Sequence, residues 1–279
     1  VATFHVFRVR VERPSQLHLM DGGQHPPDLI LQALHEHPSF VTGWGHTWHI
    51  GNLEPIERNG YYFKIGRSAR SIVPIWDDKH RVFFDAEAPT APYTHVLLDL
   101  TYQVCGIAQN RDLAPNVESI GRRLEAILNH SRLAREVGCK FVVSRLLNPE
   151  GFLAQIRSAY AIQQFSFTFS KPNHFDQDEF SRGLEDFLQY IDGSTGRIRV
   201  RGENLDVSVI ESQTSAALAS GQQVSARIKP TRESKPKHIK IEDNPLTVVG
   251  HNVDDAEEKR SLIRRIVERY QELRGRVSA

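Results

Sequence analysis

Gln164-Phe165-Ser166-Phe167-Thr168-Phe169-Ser170 alternates without a break between aromatic rings and small or amide side chains. Successive side chains of a strand point to opposite faces, so the segment predicts a strand with one core-facing aromatic side and one polar side. Gly196-Arg197-Ile198-Arg199-Val200-Arg201-Gly202 repeats the device with arginine on the polar side. Ile198 and Val200 are expected to face the core, and the three arginines to project into solvent about 7 Å apart. Arg227 and Lys229 in Ser225-Ala226-Arg227-Ile228-Lys229 do the same. Strand patterns separated by helical ones place this half of the chain in the α+β class.

Around these strands the reading continues outward. Lys140–Leu147 reads as a strand, and Asn148-Pro149-Glu150 as a cap with proline at the first helical position. Asp176 or Asp178 opens a helix whose Phe180, Leu184, Phe187, Leu188 and Ile191 are expected inside. Leu205–Ile210 reads as a strand, Ser212–Ser220 as a short helix, and Gln223–Lys229 as the next strand. That order predicts a ferredoxin-like sheet with an inserted helix. Thr231–Lys240 reads as a basic loop. Asp254–Leu273 is an amphipathic helix with Leu262, Ile263, Ile266, Val267, Tyr270 and Leu273 on one stripe. Acids at its start and arginines at its end suit the helix dipole.

The first half has a different grammar. Phe4–Val11 alternates, with Arg8 and Arg10 expected on a solvated side. A helix follows over Asp28–His37. His46–Leu53, Gly60–Arg67, His80–Asp85 and Thr94–Gly106 then read as strands, with Asn59-Gly60 as a hairpin turn. The aromatic residues here, Trp44, Trp48, Trp76 and Tyr61-Tyr62-Phe63 among them, are expected mainly in the core. A helix opened by Asn116 or Pro115 runs to about Val137 and stops at Gly138. The reading is therefore a β-rich domain over 1–138, suited to protein contact or sensing. An α+β domain over 139–279 carries the basic strand face and the final helix.

The chain has 279 residues, 25% of them charged and 39% apolar, with a net charge of +1. No apolar run is long enough for a membrane helix, so no membrane insertion is expected. Two cysteines in a chain of this size, and no visible leader pattern, suit a cytoplasmic protein. The near-zero net charge conceals a gradient: residues 1–110 carry 9 basic and 11 acidic side chains, residues 197–240 carry 9 and 4.

Catalytic and metal signatures are weak. His46 and His49 lack a cysteine or carboxylate partner in a zinc motif, and on a strand they point to opposite faces. Cys105 sits in an apolar segment and reads as a structural thiol. A metal-dependent nuclease needs clustered carboxylates to hold the ion. The acids Asp85, Glu87, Asp99, Asp206 and Glu211 are not followed by the acid-X-Lys pattern of such sites. No phosphate-cradling glycine motif occurs. No cofactor or metal is expected, and the chain reads as non-enzymatic, with a divergent nuclease as the alternative.

The basic constellation carries more. Arg197, Arg199, Arg201, Arg227 and Lys229 lie on strand faces, and Arg232, Lys235, Lys237 and Lys240 extend them into the following loop. Outward arginines with no acid between them repel one another unless something neutralises them. Guanidinium groups suit phosphate contacts, so a nucleic-acid backbone, DNA first, is the expected partner. Solvation of the sheet face by nearby Glu203, Asp206, Glu211 and Glu233 is the plainer explanation of the same residues.

Taken together, an opening strand like Phe4–Val11, a β-rich segment with Tyr61-Tyr-Phe-Lys-Ile-Gly-Arg67 and Pro74-Ile-Trp-Asp-Asp78, a helix, and an α+β half ending in a charged helix over Glu257–Leu273 resemble the RexA-like phage-exclusion proteins and related bacterial defence families. The resemblance implies a two-domain cytosolic protein that forms a homodimer. It also implies DNA binding without strong sequence preference and a protein partner encoded nearby. It transfers no catalytic residue. On the residues alone, self-association through the final helix and a pure protein-interaction role stay open.

Overall fold

The computed structural model describes residues 1–12, 25–43, 45–170, 182–191, 193–241 and 244–275. In chain order the elements are β1 (Ala2–Glu12), α1 (Pro26–His35), β2 (Ser39–Val41), β3 (Thr47–Glu57), β4 (Gly60–Arg67), β5 (Ala69–Asp77), β6 (Val82–Thr90), β7 (Tyr93–Asp99) and β8 (Val104–Ala108). Then come α2 (Val117–Asn129), α3 (Arg132–Val137), β9 (Lys140–Arg145), α4 (Glu150–Ser158), β10 (Ala161–Ser170), α5 (Arg182–Tyr190) and β11 (Thr195–Arg201). The chain closes with α6 (Val207–Ala219), β12 (Val224–Lys229), β13 (Lys237–Lys240), β14 (Thr247–Gly250) and α7 (Ala256–Gly275). The fold is α+β, with a strand-rich first half and a C-terminal amphipathic helix.

β1 organises the larger sheet, whose order is β14-β1-β8-β7-β4-β3-β2. One edge of β1 pairs with β8. The other pairs with β14 along Ala2–His5 and with β9 along Phe7–Glu12, all antiparallel. This sheet therefore crosses residue 138, and the expected division into 1–138 and 139–279 does not follow the hydrogen bonding. β9, β14 and α7 all join the N-terminal strands.

Both faces of β1 are covered. Phe7, Val9 and Val11 point into a core closed by α1, α2 and α3. Phe4 and Val6 point the other way, into a core shared with Leu262, Ile263, Ile266 and Tyr270 of α7. That second core runs on through α6 and α7 into Phe165, Phe167 and Phe169 of the smaller sheet, so one continuous apolar cluster links the two sheets. Burying one such ring stabilises by about 1.5–3 kcal/mol, which explains why the alternating phenylalanines fix this strand's orientation. The solvated side expected for β1 is absent: Arg8 and Arg10 are 1% and 7% exposed. The strand is interior to the sheet, and alternation alone does not distinguish a solvated face from one roofed by a helix.

Other differences have local causes. The single strand expected over Thr94–Gly106 is two, because Asp99 accepts a hydrogen bond from the Tyr102 amide (2.7 Å) and turns the chain. The helix expected over Asn116–Val137 breaks at His130-Ser131. There Ser131 caps α3 by accepting from the Ala134 amide (3.1 Å), and Gly138 ends it at φ 66. Leu205–Ile210 begins a helix instead of forming a strand, since Asp206 accepts from the Val209 amide (3.0 Å) as an N-cap. This cap outweighs the β-branched residues behind it.

The expected βαβ unit of a ferredoxin-like sheet does not form, because β9 pairs with β1 and not with β10. One ferredoxin-like trait survives. β11 and β12 both run antiparallel to β10, hence parallel to each other, with α6 joining them and β10 between them.

β5 and β6 form a separate two-stranded arm. Its apolar side chains stay in solvent: Ile72, Trp76 and Phe83 are 73%, 44% and 76% exposed. Trp48, Tyr62 and Phe63 are core, as expected, whereas Trp44 lies outside the described residues. Leu188 of α5 is buried, but Phe187 and, just past the helix, Ile191 are exposed, contrary to expectation. Phe180, Asp176 and Asp178 lie outside the described residues.

Candidate nucleic-acid interface

The smaller sheet has the order β11-β10-β12-β13. Its aromatic face is roofed within the chain, and α6 packs there against β10 and β12. The opposite face is open, and the register lines up its side chains in rows. Arg201, Gln164, Arg227 and His238 form one row across the four strands. Arg199, Ser166, Ser225 and Lys240 form the next, and Arg197 stands opposite Thr168 beyond it.

These rows make a trough. Arg197, Arg199 and Arg201 stand on the outer strand β11 and Lys240 on the outer strand β13, while Ser166, Thr168 and Ser225 line the inner strands and Arg227 of β12 stands beside Gln164 at the Arg201 end. The resulting cavity of ≈ 260 Å³ is lined by Gln164, Ser166, Arg197, Arg199, Gln223, Val224, Ser225, His238 and Lys240. Ser166 is 5% exposed despite facing outward, so the floor is recessed beneath its neighbours.

The arginine triplet lies where its spacing predicts. Arg197, Arg199 and Arg201 are exposed on one strand, with Ile198 packed inward. Val200 departs from expectation at 46% exposed, because it lies on the edge strand. Arg201 Nε donates to Gln164 Oε1 at 3.2 Å. Arg227 is on the same open face, and Lys229 is half-buried with its ammonium 6.0 Å from the centroid of Tyr160. Lys240 closes the far wall.

The structure sets the other expected residues apart. Arg232 and Lys235 are exposed in the loop before β13, away from the rows. Lys237 pairs with Ile228, which puts it on the roofed face at its exposed edge. The expected basic loop thus ends early, since Lys237–Lys240 adds a fourth strand. The extra strand brings His238 to the open face, a residue that no sequence pattern singled out. Gln164, Ser166, Gln223 and Ser225 were legible as a polar alternation but gave no sign that they form a floor.

Nearby acids leave the cations alone. Among the described residues no carboxylate pairs with Arg197, Arg199, Arg201, Arg227, Lys229 or Lys240. Glu211 pairs with Arg157 instead, and Glu203 and Glu233 are exposed elsewhere. Asp206 is committed to capping α6. Hydrogen bonds from the Ser208 hydroxyl and the Val209 amide hold its carboxyl below the usual range.

Groups suited to other chemistry are dispersed. Asp85 and Glu87 lie on the arm, Asp99 at the end of β7, and Asp206 and Glu211 at α6, so the acids considered for a nuclease do not converge. Among the described residues no group of three His, Cys, Asp or Glu could hold a metal ion. Cys105 is fully buried, and that burial pushes its thiol pKa up, away from nucleophile behaviour. Likewise, no described helix is long and apolar enough to cross a membrane. The sequence matches no family model and no curated protein.

Proposed function

We propose that the open face of the β11-β10-β12-β13 sheet binds the phosphate backbone of nucleic acid, without reading its sequence, in a non-enzymatic sensor or regulator of bacterial anti-phage defence. The observation that supports it most is the trough itself: the β11 arginines and Lys240 flank a floor of serine and glutamine with Arg227 at one end, and no described carboxylate neutralises these cations. Arginines along β11 are spaced about 7 Å apart, close to successive phosphates of one strand. Binding of this kind releases counterions, so it weakens steeply with salt and is similar for unrelated sequences. The test is fluorescence anisotropy with labelled DNA of several unrelated sequences at low and moderate salt. Uniform, salt-sensitive binding supports the reading, and no binding at low salt overturns it.

A second reading, a protein-interaction subunit, is favoured by the β5–β6 arm. Two-stranded hairpins are marginal alone in water, and this one exposes Ile72, Trp76 and Phe83. Contact with a second copy or a separate protein partner would fall there and not on α7, whose stripe is already buried within the chain. Sedimentation of the wild type and of an Ile72→Ser, Phe83→Ser variant tests it. A wild-type monomer that also retains no partner in a pull-down removes this reading.

A further inference from the structure

We infer that the trough takes an unpaired nucleic-acid strand, with phosphates along the β11 arginines and base edges over the serine and glutamine floor. This rests on the proposal that the face binds nucleic acid and narrows it to single strands.

Shape is the first argument. The backbones of the two outer strands are three strand spacings apart, about 14 Å, and the side chains on both walls narrow the opening further. A duplex, whose major groove alone is about 12 Å wide, rests on the rims and leaves the floor untouched. An unpaired strand is slim enough to reach Ser166 and Ser225, which face each other at the centre of the floor.

The floor's chemistry is the second. Hydroxyl and amide groups both donate and accept hydrogen bonds. Phosphates need only cations, which the walls already supply. Uncharged groups that face both ways match the free edges of unpaired bases, which a double helix keeps occupied. Their versatility also explains why such a site tolerates many sequences.

A third feature lies at one end. Tyr160 is 55% exposed and sits beside Lys229, where β12 finishes. Its ring offers a stacking surface to a base leaving the trough, an interaction open to every base with a free face. Inside a duplex that face is covered by the next base pair.

The experiment compares labelled oligothymidine and oligouridine of about 20 nucleotides, a length that covers any site of this size, with a mixed-sequence duplex of the same length. Anisotropy is read at one salt concentration. Single strands of either sugar are expected to bind at least tenfold more tightly than the duplex. Tyr160→Ala is expected to weaken single-strand binding about fivefold or more, as loss of a stacking ring does, and to leave duplex binding unchanged. Ser225→Leu, which fills the floor, is expected to act in the same direction. Since Tyr160 is exposed, its variant keeps the test valid even where the floor variant folds poorly. Duplex bound as tightly as single strands, or an unaffected Tyr160→Ala, overturns the single-strand inference and leaves backbone binding standing. No binding of any oligonucleotide at low salt overturns both.

Discussion

The guanidinium of Arg8 lies 5.2 Å from the centroid of the Tyr270 ring, and both side chains are almost completely buried. This contact joins the first strand of the chain, interior to the larger sheet, to the last helix. It shows why residues at opposite ends of the chain form one unit. A buried arginine against an aromatic face gains from cation–π attraction because little water competes there. Tyr270→Ala is expected to lower stability by about 3–5 kcal/mol, the usual range for truncating a large buried ring. Urea unfolding of the variant checks it; a loss below about 1 kcal/mol would mean that α7 is not part of the cooperative core.

Gly106 permits the close approach of α7 to the sheet. A Cβ there would stand 2.4 Å from Ile266 Cδ1. Gly106→Ala is expected to destabilise by about 1–3 kcal/mol through overpacking. Ile266→Val removes the obstructing methyl, so the double variant should lose less than the sum of the two single losses. Strict additivity in denaturant titrations would show that the helix yields freely at this point.

His95 should make stability depend on pH. Its imidazole pKa lies below the usual 6.5, chiefly because of burial, and also because of the nearby Lys64 and Lys259 cations, with Asp254 opposing. Neutral Nδ1 is placed to accept a hydrogen bond from the Tyr62 hydroxyl at 2.7 Å. A histidine whose pKa is depressed by folding binds protons more readily when unfolded. Its contribution is therefore constant above the unfolded value and falls as pH drops below it. His95→Gln should flatten part of the decline between neutral and mildly acid pH. Parallel urea midpoints for the wild type and variant decide the matter, and identical slopes would assign the decline to other groups.

The arm offers a negative control for stability. None of the residues of β5 or β6 belongs to either core cluster. Replacing residues 70–89 with a short glycine-serine turn should leave the melting temperature within a few degrees of wild type, since loop changes of this kind alter closure entropy only slightly. A large fall would show that the arm supports the sheet from outside.

Much of this arrangement was legible locally. The Phe165-Ser166-Phe167 alternation fixed both faces of β10, and Arg197, Arg199 and Arg201 went to solvent as their spacing required. What escaped depends on pairings distant in sequence. Thr247–Gly250 is too short to announce itself as a strand and is stabilised by pairing with Ala2–His5 at the other end of the chain. Arg8 and Arg10 looked solvated because alternation records a difference between faces and not what covers them. His238 was hidden in a lysine-rich stretch that becomes a strand only because Val224–Lys229 offers it an edge. The trough likewise exists only once four strands stand side by side.

The central claim is that the arginine wall binds nucleic-acid phosphates. A salt titration of oligothymidine affinity tests it most directly, comparing wild type with the Arg197→Gln, Arg199→Gln, Arg201→Gln variant. Exposed charges contribute only about 0–1 kcal/mol per pair to stability, so both proteins should melt alike. Each phosphate of a single strand that is no longer neutralised should lower the log–log salt slope by about 0.7, giving a fall of about 2 for the triple variant. Weaker binding with that shallower slope, at an unchanged melting temperature, is the expected result. An unchanged slope and affinity would contradict the account and place any nucleic-acid surface elsewhere.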